Sequence, residues 1–138
     1  MIYVFDTSFV GTLIIPDEFN FLARKMYSKI ENEELRYTPN LFWYEITNLF
    51  KNLLRRRRYT EKEVSEFYTR LESFNFIIDN ESGIKYSQKL FRLCNEYNLS
   101  SYDAAYLELA ERKKAMLCTM DENLRAAAKK RGVPVIKA

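Results

Sequence analysis

IYVFDTSFVGTLI (2–14) decides the architecture. Its first four residues are apolar, aromatic or β-branched with no polar interruption, the pattern of a strand buried on both faces. Asp6 stops the run, and TSFVGTLI then reads as a turn or short helix. LRYT (35–38), FNFIID (74–79), AMLCT (115–119) and PVI (134–136) read as further strands. Between them the spacing predicts helices. One covers Asp17 to Asn32, where Phe19, Leu22, Ala23, Met26 and Ile30 recur at helical intervals. Others run from Asn40 to about Arg57, from Thr60, from Glu81 to Tyr97, from Ser100 or Ser101 to Lys114, and from Glu122 to Arg131. Thr60 and Glu63 form a T-x-x-E capping box, and Gly132 is placed to end the last helix. Strands that are continuous apolar runs and alternate with helices predict an α/β domain, a parallel sheet covered on both faces. With no linker, repeat or low-complexity segment, residues 1–138 are expected to form one domain.

Absences narrow the chemistry. The chain has no histidine, which removes Ser-His-Asp and Cys-His triads, His-based zinc sites and HExxH enzymes. Gly11, Gly83 and Gly132 are its only glycines, so no GxGxxG or Walker loop cradles a nucleotide. An enzyme made of these residues must work with carboxylates, hydroxyls and basic groups, which points to a hard metal ion with oxygen ligands. The net charge of +3 does not by itself indicate a nucleic-acid partner. MIYVF is too short for the apolar core of a secretion signal, and no apolar run approaches a membrane span. Cys94 and Cys118 sit in apolar patterns and read as buried thiols. The expected setting is a reducing cytoplasm, with no membrane partner.

Four acids stand out. Asp6 ends the first strand and Asp121 follows the fourth, so both project from one edge if the strands are parallel. Each is also a good helix N-cap. Glu45 lies in NLFWYEITNLFKNLL, on the flank of a stripe formed by Phe42, Ile46, Leu49 and Leu53. A carboxylate there must be paired, protonated or metal-bound, and a salt bridge to an arginine is the plainer alternative. Asp103 in SSYDAAYLELA lies three residues after Ser100, and S-x-x-D alone is explained by capping. Convergence would change that reading. At an effective dielectric of 20, two carboxylates 4 Å apart repel by about 4 kcal/mol, so several in one pocket need a cation. One or two Mg²⁺ or Mn²⁺ ions would neutralise them, activate a water and stabilise the leaving oxygen of a phosphodiester.

VFDTS, PNLFWYEITN, LSSYDAAYLELA and LCTMDENL, in that order and over nearly the whole chain, resemble the PIN-domain ribonucleases, most closely the VapC-type toxins of toxin–antitoxin pairs. The resemblance implies a three-layer α/β/α fold with a parallel sheet ordered 3-2-1-4-5. It implies that Asp6, Glu45, Asp103 and Asp121 are the catalytic, metal-binding quartet, with Asp6 and Asp103 the most direct ligands. Ser8 and Thr119 would order the site. Asn123 stands near a position that is acidic in some members, so a fifth carboxylate is absent here. The implied activity is metal-dependent endoribonuclease cleavage of RNA. The implied partners are a second copy of the chain and a small antitoxin that blocks the active site, with DNA reached only through the antitoxin.

RRRR (55–58) is the sharpest basic feature. It reads as a solvated helix end whose cations suit the dipole, or as a phosphate-contacting rim for RNA; Lys113, Lys114, Lys129, Lys130 and Arg131 are further candidates. Phe42, Trp43 and Tyr44 read as core, with a partner face as the alternative. Two other functions fit parts of the pattern. A phosphomonoester hydrolase could use Asp6 as nucleophile, although FDTSFV lacks the second Asp of a D-x-D motif. A PIN-like fold could also serve only to bind RNA or a partner. Flap-endonuclease-like enzymes share such acids, and this chain is short for their added helical arch.

Overall fold

The computed structural model describes residues 1–18 and 20–137. Four parallel strands carry the fold: β1 (Ile2–Phe5), β2 (Leu35–Pro39), β3 (Ile77–Asp79) and β4 (Met116–Cys118). Their order is β3-β2-β1-β4, with Tyr3 opposite Arg36 on one side and Met116 on the other. The helices are α1 (Thr7–Ile14), α2 (Phe21–Tyr27), α3 (Leu41–Arg55), α4 (Glu61–Glu72), α5 (Ile84–Tyr97), α6 (Ser101–Lys113) and α7 (Glu122–Arg131). Both sheet faces are covered over the central strands, as their apolar runs predict, whereas Ile77 and Ile78 of the edge strand β3 stay exposed. Val4, Phe5, Leu117 and Cys118 in the central strands are fully buried. Helix α6 packs against β1, β2 and β4, and its residues Ala104–Ala110 are buried all round.

The expected fifth strand is a single parallel bridge, Leu117 to Val135, beyond β4. Leu117 donates to the Pro134 carbonyl and accepts from Ile136, but Pro134 has no N–H with which to lengthen a ladder. The strand expected over 74–79 forms only at Ile77–Asp79. Asn75 turns the chain with φ 53°, and Phe74 and Phe76 stack on each other at 5.3 Å in an aromatic cluster around Phe5. The helix expected over 17–32 is also broken. A 3-10 turn covers Pro16–Glu18, and α2 starts afresh after Asn20, whose side chain accepts from Ala23 N–H. Ala23, Met26 and Ile30 are buried there, Leu22 faces solvent, and Phe19 lies outside the described residues.

Local signals elsewhere hold. Thr60 and Glu63 form both bonds of the capping box, and Gly132 ends α7 with φ 79°. On α3 the buried residues are Phe42, Ile46, Phe50 and Leu53, with Leu49 only half-buried. That shift moves the centre of the buried stripe to about 90° from Glu45, so the carboxylate sits at the rim of the core. Cys118 is buried and Cys94 only half-buried; both thiols are free. Among the described residues no helix is long and apolar enough to cross a membrane.

Candidate active site

Parallel pairing of β1 with β4 brings Phe5 opposite Cys118, and Asp6 N–H bonds the Cys118 carbonyl at 3.1 Å. The next residues of both strands therefore leave the sheet side by side. Asp6 caps α1: its Oδ1 accepts from Phe9 N–H at 2.9 Å and from the Ser8 hydroxyl at 2.7 Å. Its Oδ2 accepts from the buried Thr119 hydroxyl. The Thr119 oxygen in turn accepts from Asp121 N–H at 3.0 Å, and the Ser8 oxygen from Met120 N–H at 3.1 Å. Asp121 caps α7 through Leu124 N–H at 2.8 Å. Ser8 and Thr119 thus tie the end of β1 to the loop after β4.

Glu45 enters from α3. Its Oε1 accepts from the Thr7 hydroxyl at 2.9 Å and from the Tyr106 hydroxyl at 2.6 Å. The sequence reading did not find Thr7 or Tyr106. Tyr106 could have been noticed as the one phenol in the buried stretch Ala104–Ala110 of α6, three residues after Asp103. Asp103 stands at the start of α6, where Ser100 accepts from its N–H at 3.1 Å.

Electrostatics link the four acids. Burial pushes Asp6 up to about 6 against the hydrogen bonds of Thr119, Phe9 and Ser8, and the Asp103 charge adds to the rise. Burial also raises Asp103, and the negative charges of Asp121 and Glu45 raise it further, against the Ser100 hydroxyl. Tyr106 is raised strongly by burial and by Glu45, with Asp6 contributing. None of the four acids has an ion-pair partner among the described residues; the ion pairs there use Asp17, Glu18, Glu34, Asp79, Glu96, Glu108 and Glu111.

Among the described residues no three acidic or thiol side chains stand close enough to form a shared ligand shell. The donor set nonetheless suits Mg²⁺ or Mn²⁺ chemically. Its donors are hard oxygens, its charges repel, and such ions keep several waters and need only one or two carboxylates each.

The run at 55–58 splits. Arg58 is engaged at the surface by Asp17 at 3.1 Å and by Glu18 at 4.0 Å. Arg55 ends α3, Arg56 follows it as C-cap, and Arg57 takes φ 54°. Lys113 lies over the Tyr37 ring, and Arg131 pairs with Glu111 and Glu96. Phe42 is buried, Trp43 half-buried and Tyr44 70% exposed, so only the first is wholly core.

The strand-end Asp6 is thus bonded to a hydroxyl from the loop after β4. The chain belongs to the PIN domain family, whose model matches residues 3–130. It is 31% identical over 121 residues to Ribonuclease VapC3 of Pyrobaculum aerophilum, covering 88% of this chain and 90% of that one. The crystal structure of PAE2754 from Pyrobaculum aerophilum superposes with a TM-score of 0.71 at 22% identity, covering 96% of this chain and 81% of that one. A toxin–antitoxin complex from Klebsiella pneumoniae matches with a TM-score of 0.64 at 21% identity, over 98% and 96% of the two chains. At those identities the two structures speak for the fold.

Proposed function

We propose that this chain is a divalent-metal-dependent endoribonuclease and the toxin of a toxin–antitoxin pair. The observation that carries the reading is the set Asp6, Glu45, Asp103 and Asp121: Asp121 and Glu45 raise Asp103, Asp103 raises Asp6, and none of the four has an ion-pair partner among the described residues. The likeness to Ribonuclease VapC3 supports RNA as substrate, and the Klebsiella complex supports a small protein antitoxin as partner. A homodimer in a cytoplasmic setting, with DNA reached only through the antitoxin, completes the proposal.

Asp6 and Asp103 would hold the first ion, with Asp121 and Glu45 at its side or holding a second. Mg²⁺ or Mn²⁺, when bound, supplies activation of a water and stabilisation of the leaving oxygen. Ser8, Thr119 and the start of α1 fix both oxygens of Asp6, so its carboxylate cannot swing when charge arrives. Thr7 and Tyr106 both bond Oε1 of Glu45, which leaves Oε2 to orient a water and receive a proton from it. Asn123, an amide where a fifth acid would add charge, makes one ion the simpler arrangement.

The test is cleavage of RNA by the purified chain. Activity should need Mg²⁺ or Mn²⁺, vanish with EDTA and return when Mg²⁺ is restored. Release of inorganic phosphate from small phosphomonoesters, with RNA left intact, would refute the ribonuclease and favour a phosphatase. RNA binding without any cleavage would leave only a binding module.

A further inference from the structure

Beside Glu45 lies a cavity of about 590 Å³ whose lining, apart from Thr7 and Glu45, has no part in the chemistry above. One wall is α3, which contributes Tyr44, Asn48 and Asn52 along with Glu45; Thr7 and Tyr102 close the other side. At 3.6 residues per turn, positions 44, 45, 48 and 52 fall on one face of α3, and Arg55 extends that face by one turn. Tyr44 and Tyr102 are 70% and 59% exposed, two aromatic rings left in solvent at the edge of the acidic site. The cavity touches that site directly, because Thr7 and Glu45 line it and are bonded to each other.

We propose that this cavity is a base-recognition subsite for the RNA strand being cut, a proposal that rests on the ribonuclease reading. The chemistry of the lining selects the occupant. Exposed tyrosine rings offer faces on which an unpaired base stacks. The Asn48 and Asn52 amides each carry a donor and an acceptor, which is what reading a base edge requires. The volume lies within the range of ligand pockets and exceeds what one base needs. A nucleotide seated there places its phosphate towards Glu45 and the other acids. Arg55, one turn past Asn52, is positioned to meet the next phosphate along the strand. This assigns a separate role to Arg55 within the arginine run, since Arg58 is held by Asp17 and Glu18.

The decisive experiment measures binding of short single-stranded RNAs of differing base composition to the full chain carrying Asp6→Asn, which keeps the strand uncut. Fluorescence anisotropy should show preference for one composition. Adding Tyr44→Ala should weaken binding roughly tenfold or more, and Tyr44→Phe should keep it, since the ring face survives. Asn48→Ala should flatten the base preference by about tenfold. Arg55→Ala should lower affinity equally for all compositions and reduce the salt dependence. Phe91→Ala, an exposed ring on α5, should change nothing. Failure of the parent to bind, or equal affinity and preference in all variants, overturns the subsite. So does a change of oligomeric state in Tyr44→Ala with binding unchanged, which would make this face a contact between copies. Cleavage by the wild-type chain is scored separately: base-selective binding lost in Tyr44→Ala but no cleavage would sustain the subsite and sink the nuclease.

Discussion

Helix α6 carries two acids, Asp103 and Glu108, that keep opposite company. Glu108 is 3% exposed and is met by Arg112 at 2.8 Å and Lys89 at 3.0 Å. Arg112 also grips both oxygens of Asp79, at 3.0 and 2.7 Å. Burial works against the Asp79 charge, but the Arg112 hydrogen bonds and charge win and hold it below the ordinary carboxylate value. One turn and more away, Asp103 shares its surroundings with Asp6, Glu45 and Asp121, and its neighbours raise it. The first cluster has its cations built in and closes a structural seam between α5, α6 and β3. The second has hydroxyls and amides where the cations would be. Acids that are desolvated, mutually repelling and unpaired cost stability, and such groups concentrate at functional sites, as the proposed metal site requires.

The largest effect expected from this contrast is on cleavage. Asp6→Asn and Asp103→Asn preserve size and remove a ligand charge, so RNA cleavage should fall by at least about a hundredfold while circular dichroism stays native. Full activity in both variants would end the assignment of the quartet. Arg112→Leu should do the reverse. It leaves Glu108 buried with only Lys89 beside it, so the chain should lose about 3 kcal/mol in denaturant unfolding. Cleavage per folded molecule should be unchanged; if cleavage collapses instead, the two clusters are not separable.

The pH response should also differ in sign between them. Asp6 in the metal-free chain is raised from 3.8 to about 6, so the folded state holds its proton more tightly than the unfolded state does. Its stabilisation is therefore complete below about pH 4 and is lost as pH climbs through 6, to the extent of about 3 kcal/mol. Asp103 shifts in the same direction. Asp79, being lowered, contributes stability above its ordinary value that is lost as the solution is acidified. Thermal melts of metal-free protein across pH 4–7 should show Tm falling towards neutrality, less steeply in Asp6→Asn, and recovering when Mg²⁺ is added. A Tm that rises over that range would contradict the burial of Asp6. The smallest effect belongs to Arg58→Ala. That exposed pair with Asp17 is worth no more than about 0.5 kcal/mol, and neither Tm nor cleavage should move measurably.

Much of this was legible in the sequence where the signal is local. Continuous apolar runs at β1 and β4 state burial on both faces, and Thr60, Glu63 and Gly132 state their caps within four residues. The parallel order followed from alternation and from the family resemblance. Legibility stopped where a partner lies far along the chain. Leu49 and Phe50 are equally apolar, and only packing against α4, where Phe50 meets Phe67 and Tyr68, made Phe50 the core residue. Tyr106 and Glu45 are 61 positions apart, Arg112 and Asp79 are 33, and Arg58 and Asp17 are 41. Pro134 was visible in the sequence, yet its cost to the fifth strand shows only once Leu117 is alongside.

By itself the sequence determined the class of chemistry and the scaffold. Without histidine or glycine loops, an enzyme made of these residues had to work with carboxylates, hydroxyls and basic groups, and the alternation of strands and helices pointed to a parallel sheet with acids after β1 and β4. The tertiary structure decided which acids are satisfied and which are not. Glu108 and Asp103 are both acids in one helix, five residues apart; locally Glu108 has Arg112 one turn on and Asp103 has the capping Ser100, but their long-range company is not local. The difference arises because a charge is priced by what surrounds it in three dimensions: α5 and β3 bring Lys89 and Asp79 to the Glu108–Arg112 pair, and β1, α3 and the loop after β4 bring Asp103 more negative charge.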